Sequence, residues 1–223
     1  MRRTTPWEKR IDSIYGNIAY DLEEAIYKCW YSPVTVAHAT GELSLDERLE
    51  KTYEGHPEQE MSVCYATSPD GIFWNKPSLG LVEYEDNSAN NILSRGIHGS
   101  GIFKEDQEPK PKRSYKSISQ GMNSSVSAEG LNRSVPTSIS GVESAGDTPN
   151  NALWAPTLEK YVGFTRTSSK TNRQIVGPET KTNHAWGSEI ARIESPDFKD
   201  WLQAEVIIRC DSWEQQPRRC PSF

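Results

Sequence analysis

The sequence predicts an all-β protein assembled from a repeated antiparallel unit. Short stretches of alternating apolar and polar residues recur along the whole chain, whereas a helical apolar period occurs in one place. The 14 Pro and 15 Gly in 223 residues favour turns over long helices. Seven Trp and nine Tyr, set against a hydrophobic fraction of only 35%, suit short strands and a surface that stacks on flat ligands such as sugars.

Candidate strands run in order over Asn17–Tyr20, Tyr27–Tyr31, Met61–Thr67, Gly101–Phe103, Tyr115–Ile118 and Met122–Val126, then Ala152–Trp154, Lys160–Thr165, Ser188–Glu194 and Ala204–Ile208. The one helix candidate opens at Ser44-Leu45-Asp46-Glu47, a capping box, with Leu45 and Leu49 on one face as far as about Tyr53. A net charge of −6 argues against a nucleic-acid partner, which needs a phosphate-neutralising basic face. No apolar run reaches membrane-spanning length, so no membrane span is expected. The start, Met1-Arg2-Arg3-Thr4, has no apolar stretch behind its basic residues, so no secretion signal is read and the compartment stays open.

The cysteines are Cys29, Cys64, Cys210 and Cys220, with no C-x-x-C pair, which leaves a zinc ribbon or thioredoxin-type site unsupported. Cys29 and Cys64 sit in apolar strand patterns and are expected as buried thiols; a disulfide between them stays open if their strands are neighbours. The chain has no nucleophile elbow, zincin motif, P-loop or dinucleotide fingerprint, so no metal and no cofactor is expected.

Internal repetition organises the chain. The first copy reads Tyr20-Asp21, a turn, Tyr27-Lys28, and later Ser68-Pro69-Asp70-Gly71-Ile72-Phe73-Trp74. The second reads Phe103-Lys104-Glu105, a Pro-rich loop, Tyr115-Lys116, and later Ser127-Ala128-Glu129-Gly130-Leu131-Asn132-Arg133. The third reads Trp154-Ala155-Pro156, a turn, Lys160-Tyr161, and later Ser195-Pro196-Asp197-Phe198-Lys199-Asp200-Trp201. Each copy is a hairpin, a third strand and a turn in which Ser and Asp or Glu side chains bond backbone N–H groups ahead of them. Such a unit of roughly 60 residues matches one blade of a β-propeller.

The densest stretch, Tyr65-Ala66-Thr67-Ser68-Pro69-Asp70-Gly71-Ile72-Phe73-Trp74-Asn75-Lys76-Pro77 with Leu79-Gly80-Leu81 and Asn90-Asn91-Ile92, resembles the five-bladed β-propeller proteins related to glycoside hydrolase families 43 and 32. Asp147-Thr148-Pro149-Asn150-Asn151-Ala152-Leu153-Trp154 and Lys160-Tyr161-Val162-Gly163-Phe164-Thr165-Arg166 resemble the same group. The resemblance covers roughly residues 6–211 and implies an all-β propeller fold with about three blades of an expected five. The expected organisation is a shortened glycosidase-like propeller over residues 1–211 and an unrelated tail over 212–223. Departures are Glu129 and Arg133 in the second turn, Ala155 where the group places an Asp after the Trp, and an apparent insertion at Gly177–Trp186.

The resemblance implies that ligand-facing carboxylates sit where the first strand of each blade starts, beside a central funnel. Glycoside hydrolysis needs two carboxyl groups, one protonated and one ionised. Aligning the copies on Tyr20, Phe103 and Trp154 makes Asp12 and Asp147 the expected catalytic pair, with Glu189 as a third acid. His98, between Gly96 and Gly99, and Arg166, at a strand end, are the candidate substrate-binding residues. Each has a plainer reading beside it: an Asx cap for Asp147, a solvated loop acid for Asp12, a hydrogen-bonded structural role for His98, and a surface ion pair for Arg166. Asp70 and Asp197 lie in turns that resemble the sialidase Asp-box one residue short, and are read as structural; Trp30 and Trp154 are read as core. The expected activity is glycoside-hydrolase-like, with a carbohydrate partner; the alternative is a non-catalytic carbohydrate-binding or scaffold propeller.

Overall fold

A computed structural model describes residues 3–11, 14–36, 60–140, 147–168 and 188–208. The helix expected near Ser44, the insertion at 177–186 and the tail at 212–223 lie outside the described residues. The described chain is all-β: thirteen antiparallel strands in three sheets, with one short 3-10 turn at Pro111–Arg113. The backbone falls into two compact units, Met1–Ser100 and Gly101–Phe223, with the boundary between the first and second sequence repeats.

The first unit holds one sheet. Strands β1 (Asn17–Asp21), β2 (Ile26–Tyr31), β3 (Val34–Val36), β4 (Glu60–Ser68) and β5 (Ile92–Arg95) pair as β1-β2-β4, with β3 and β5 also on β4. Tyr31 pairs with Cys64 and Val34 with Met61 in one continuous register, so β2 and β3 are a single strand interrupted at Ser32-Pro33. Proline cannot donate to the ladder, which accounts for the break. The apolar core of this unit gathers Cys29, Tyr31, Cys64, Ala66, Tyr84 and Ile92. Cys29 and Cys64 are buried as expected and both are free thiols. Their strands are neighbours, but Cys29 faces Ala66 and Cys64 faces Tyr31, two residues out of line for a bridge. Burial pushes the Cys29 thiol up to about 12 and raises Cys64 as well.

The second unit holds two four-stranded meanders: β6 (Gly101–Lys104), β7 (Tyr115–Ser119), β8 (Asn123–Ser127) and β9 (Thr137–Ser138), then β10 (Asp147–Ala155), β11 (Lys160–Ser168), β12 (Ser188–Ser195) and β13 (Glu205–Ile208). Their shared core contains Ile118, Met122, Ile139, Tyr161, Ile193, Phe198 and Trp201. The start of β6 lies so close to β10 that a Cβ at Gly101 would collide with the Asn150 carbonyl oxygen and stand 2.7 Å from Asn151 Cα. Only glycine permits that approach.

Register makes the three repeats comparable residue by residue. Tyr27 pairs with Ser68, Tyr115 with Ser127 and Tyr161 with Ser195. On the other side the same tyrosines pair with Tyr20, Lys104 and Trp154. The anchor in the second copy is therefore Lys104, one residue beyond the Phe103 chosen from sequence, and the third-copy equivalent of Lys28 and Lys116 is Val162, not Lys160.

The serine turns follow the expected chemistry. Ser68 Oγ accepts the N–H groups of Asp70 and Gly71, at 3.3 and 2.8 Å, while Asp70 Oδ1 accepts those of Ile72 and Phe73, both at 2.9 Å. Ser127 with Glu129 and Ser195 with Asp197 repeat the arrangement. The left-handed position is Gly71, Gly130 and, in the third turn, Phe198 at φ 61°. The Phe198 ring is buried among Phe103, Tyr161 and Trp201, and that packing offsets its strained backbone. The backbone N–H groups ahead of Asp70 and Asp197 bond their Oδ1 atoms and hold both carboxyls below the usual range.

Candidate functional site

The expected site residues of the third sheet meet at one end of it, where β10 starts, β11 ends and β12 starts. Asp147 lies directly across from Arg166, and Arg166 in turn from Ile190. Glu189 pairs with Thr167, in the adjacent row. A register shift between Asp147 and Asn151 bulges β10 at this point; such bulges re-aim side chains. Asn150, inside the bulge, is fully buried. Its Oδ1 accepts the Thr165 hydroxyl at 2.6 Å, and its Nδ2 is buried with no hydrogen-bond partner among the described residues. Arg166 is half-buried and engaged in an interaction. The structure thus brings Asp147 and Arg166 together and sets Glu189 one row away.

His98 belongs to the first unit, where it follows β5 and is half-buried. Its ring meets Tyr15 edge-on, with centroids 5.1 Å apart. Gly96 and Gly99 flank it with φ of 70° and 59°. Asn17 Nδ2 donates to the carbonyls of Tyr15 (3.1 Å) and Ser100 (2.8 Å), tying the start of β1 to the segment after β5. His98 therefore also stands at the starting end of a first strand. Asp12 lies outside the described residues.

Buried ion clusters at the opposite strand ends escaped the sequence reading. In the first sheet Lys28 Nζ donates to Asp21 Oδ2 at 2.8 Å and Glu24 Oε1 at 2.7 Å. The Lys28 hydrogen bond, outweighing burial, holds the Asp21 carboxyl down at about 2. In the second, Lys116, fully buried, donates to Glu105 Oε2 and Glu108 Oε2, both at 2.6 Å, and to the Arg113 carbonyl at 3.1 Å. Burial opposes ionisation of Glu108, but Lys116 and the Lys110 N–H hold it below the usual carboxylate range. Tyr161 donates its hydroxyl to Glu105 Oε2 at 2.6 Å. The signal was in the spacing: Asp21-x-x-Glu24 with Lys28, and Glu105-x-x-Glu108 with Lys116. The third sheet has Ala155, Leu158 and Val162 at those positions. All three ionic members are replaced together by apolar ones, as the cost of an uncompensated buried charge requires.

A further buried carboxylate, Glu8, accepts Lys76 Nζ at 2.6 and 2.7 Å and the Tyr31 hydroxyl at 2.7 Å. Burial raises its pKa, yet these donors together bring it below the ordinary value. Among the described residues every carboxyl with a displaced pKa is displaced downward. No group of three His, Cys, Asp or Glu side chains among the described residues is placed to hold a metal ion.

The second unit also contains a cavity of about 490 Å³ beside the Lys116 cluster. Its wall includes Glu105, Glu108, Lys110, Arg113, Trp154 and Lys199. Trp154, expected as core, is half-buried and faces this space.

Fold and register define an all-β protein of three antiparallel sheets, one of five strands and two four-stranded meanders. No family model matches the chain, and no curated protein matches it. Among solved structures the chain is similar to an N-acetylgalactosamine deacetylase from F. plautii, determined in complex with blood group B trisaccharide, with a TM-score of 0.52 and 11% identity. The match covers 88% of this chain and 54% of that one, so the chain spans about half the length of the structure it resembles.

Proposed function

We propose that the three meanders are consecutive blades of a five-bladed β-propeller of the glycoside-hydrolase-like group, and that the chain acts on a carbohydrate through Asp147. The observation that carries this reading is the position of Asp147: opposite Arg166, at the bulged start of the first strand of its sheet. Asp147 is then the base or nucleophile, and the protonated partner that hydrolysis needs is Glu189 or Asp12. The repeated tyrosine–serine register supports blade-like repetition, and the similar solved structure is a carbohydrate-acting enzyme.

A second reading, a non-catalytic carbohydrate-binding propeller, draws on two observations. Asp147 pairs in register with a cationic residue, Arg166, and the described carboxyls with a displaced pKa are displaced downward, away from the range of a general acid. A panel of oligosaccharides incubated with the chain separates the two, with new reducing ends read by mass spectrometry. Cleavage that falls by at least about a hundredfold in Asp147→Asn supports the enzyme reading. Binding without cleavage supports the second, and cleavage unchanged in Asp147→Asn removes Asp147 from the site.

A further inference from the structure

We propose that the cavity beside the Lys116 cluster binds an anionic sugar, a pyranose bearing a carboxylate or sulfate group. It lies at the far end of β10 from Asp147, about 25 Å along the nine-residue strand, so the inference stands apart from the proposed centre.

The charges of the wall point to an anion. Its three carboxylates are already engaged: Glu105 by Lys116 and Tyr161, Glu108 by Lys116 and the Lys110 N–H, Asp197 by Ser195 Oγ and the N–H groups of Lys199 and Asp200. The cations are not so matched. Lys110 and Lys199 are exposed and make no ion pair within 4.0 Å among the described residues, although Lys199 acts through space on Asp197. Arg113 is anchored by one nitrogen, Nη2, on the Asp197 carbonyl at 3.1 Å. Its Nε is buried, stands 3.6 Å from Glu108 Oε2 and has no hydrogen-bond partner among the described residues. Counting Lys116 behind the wall, four cations face three carboxylates.

The aromatic part of the wall points to a sugar. The Trp154 indole is half-buried and held edge-on against Tyr161, centroids 4.9 Å apart, and Tyr161 packs on the buried Phe198. A ring fixed in this way offers a flat apolar face without the entropy cost of ordering it on binding. Pro196 extends the wall, and about 490 Å³ lies within the range of small-ligand sites. The sequence restricts this site to the second unit. Lys110 and Arg113 lie in the longer, Pro-rich loop of the second copy, and the Ala155–Leu158 hairpin leaves out the carboxylates that would oppose an anion.

Titration calorimetry on the full chain tests this with trigalacturonate, a sulfated chondroitin disaccharide, neutral galactotriose and inorganic sulfate. At least one anionic saccharide should bind about tenfold or more tightly than galactotriose. Lys110→Glu with Lys199→Glu, both on exposed side chains, and separately Trp154→Ala, should each weaken that binding about tenfold or more, while Asp147→Asn leaves it unchanged. Circular dichroism checks that the variants fold. The proposal is overturned if neither anionic saccharide binds, if galactotriose binds equally well, if inorganic sulfate binds as tightly as either saccharide, or if the charge reversals leave affinity intact. Loss of cleavage in Asp147→Asn with retained anionic-sugar binding would separate this site from the proposed catalytic one.

Discussion

Removing Lys116 should cost far more than removing the whole ion cluster it serves. Lys116 is fully buried and its ammonium is held at 2.6 Å by both Glu105 and Glu108, with the Arg113 carbonyl at 3.1 Å and the Tyr161 ring centroid at 5.4 Å. Lys116→Met strips Glu105 and Glu108 of the ammonium they share, leaving only Arg113 Nε at 3.6 Å from Glu108 Oε2, and breaking a buried pair in this way costs about 3–5 kcal/mol. The triple variant Glu105→Ala, Glu108→Leu, Lys116→Val copies what the third sheet has at Ala155, Leu158 and Val162. It should recover most of that loss, leaving about 1 kcal/mol for the Tyr161 hydroxyl deprived of its acceptor. Urea unfolding followed by tryptophan fluorescence reads both. With a slope near 2–3 kcal/mol per molar, the single variant lowers the midpoint by about 1–2 M at unchanged slope. The single variant should also recover partly at acid pH, where the orphaned carboxylates take up protons. A Lys116→Met midpoint within about 0.3 M of the parent, or a triple variant no more stable than the single one, would refute the reasoning.

Two further perturbations follow from the geometry. Gly101→Ala should destabilise the second unit by about 3 kcal/mol or more, because the new methyl meets the Asn150 and Asn151 backbone rather than a movable side chain; unfolding midpoints check this, and a neutral variant would contradict the close approach of β6 and β10. The Asp21 carboxyl, held at about 2 by Lys28 from an ordinary 3.8, contributes about 2 kcal/mol that is fully present above pH 4 and lost as pH falls through 2. The stability difference between the parent and Asp21→Asn should therefore shrink between pH 4 and pH 2, and a difference constant over that window would count against the pairing.

Much of the fold is legible because each repeat carries the same local instructions. The serine turns close through their own side chains, and their strands follow from alternation on either side. Three strands escape that logic. Val34–Val36 is cut from β2 by Pro33, Thr137–Ser138 is two residues long, and Ile92–Arg95 places Ser and Arg where alternation has too few residues to register. Alignment on aromatic residues selects Phe103 in the second copy, one residue short of Lys104, which the ladder aligns with Tyr20 and Trp154. Of the site, the pairing of Asp147 with Arg166 depends on hairpin length and on the β10 bulge, neither of which local sequence specifies. Trp154 reads as core by residue type, but lies at the far end of β10, where the strand runs out against an open cavity. The ion clusters escape sequence reading because paired acid spacings alone lack the register that seats Lys28 and Lys116 in equivalent places.

Carbohydrate recognition is tested most directly by an array of neutral and acidic glycans probed with the full chain. Saturable binding to at least one glycan class is expected, with acidic members lost on Lys110→Glu with Lys199→Glu. An array without saturable binding, alongside a cooperative unfolding transition showing the chain folded, would contradict it.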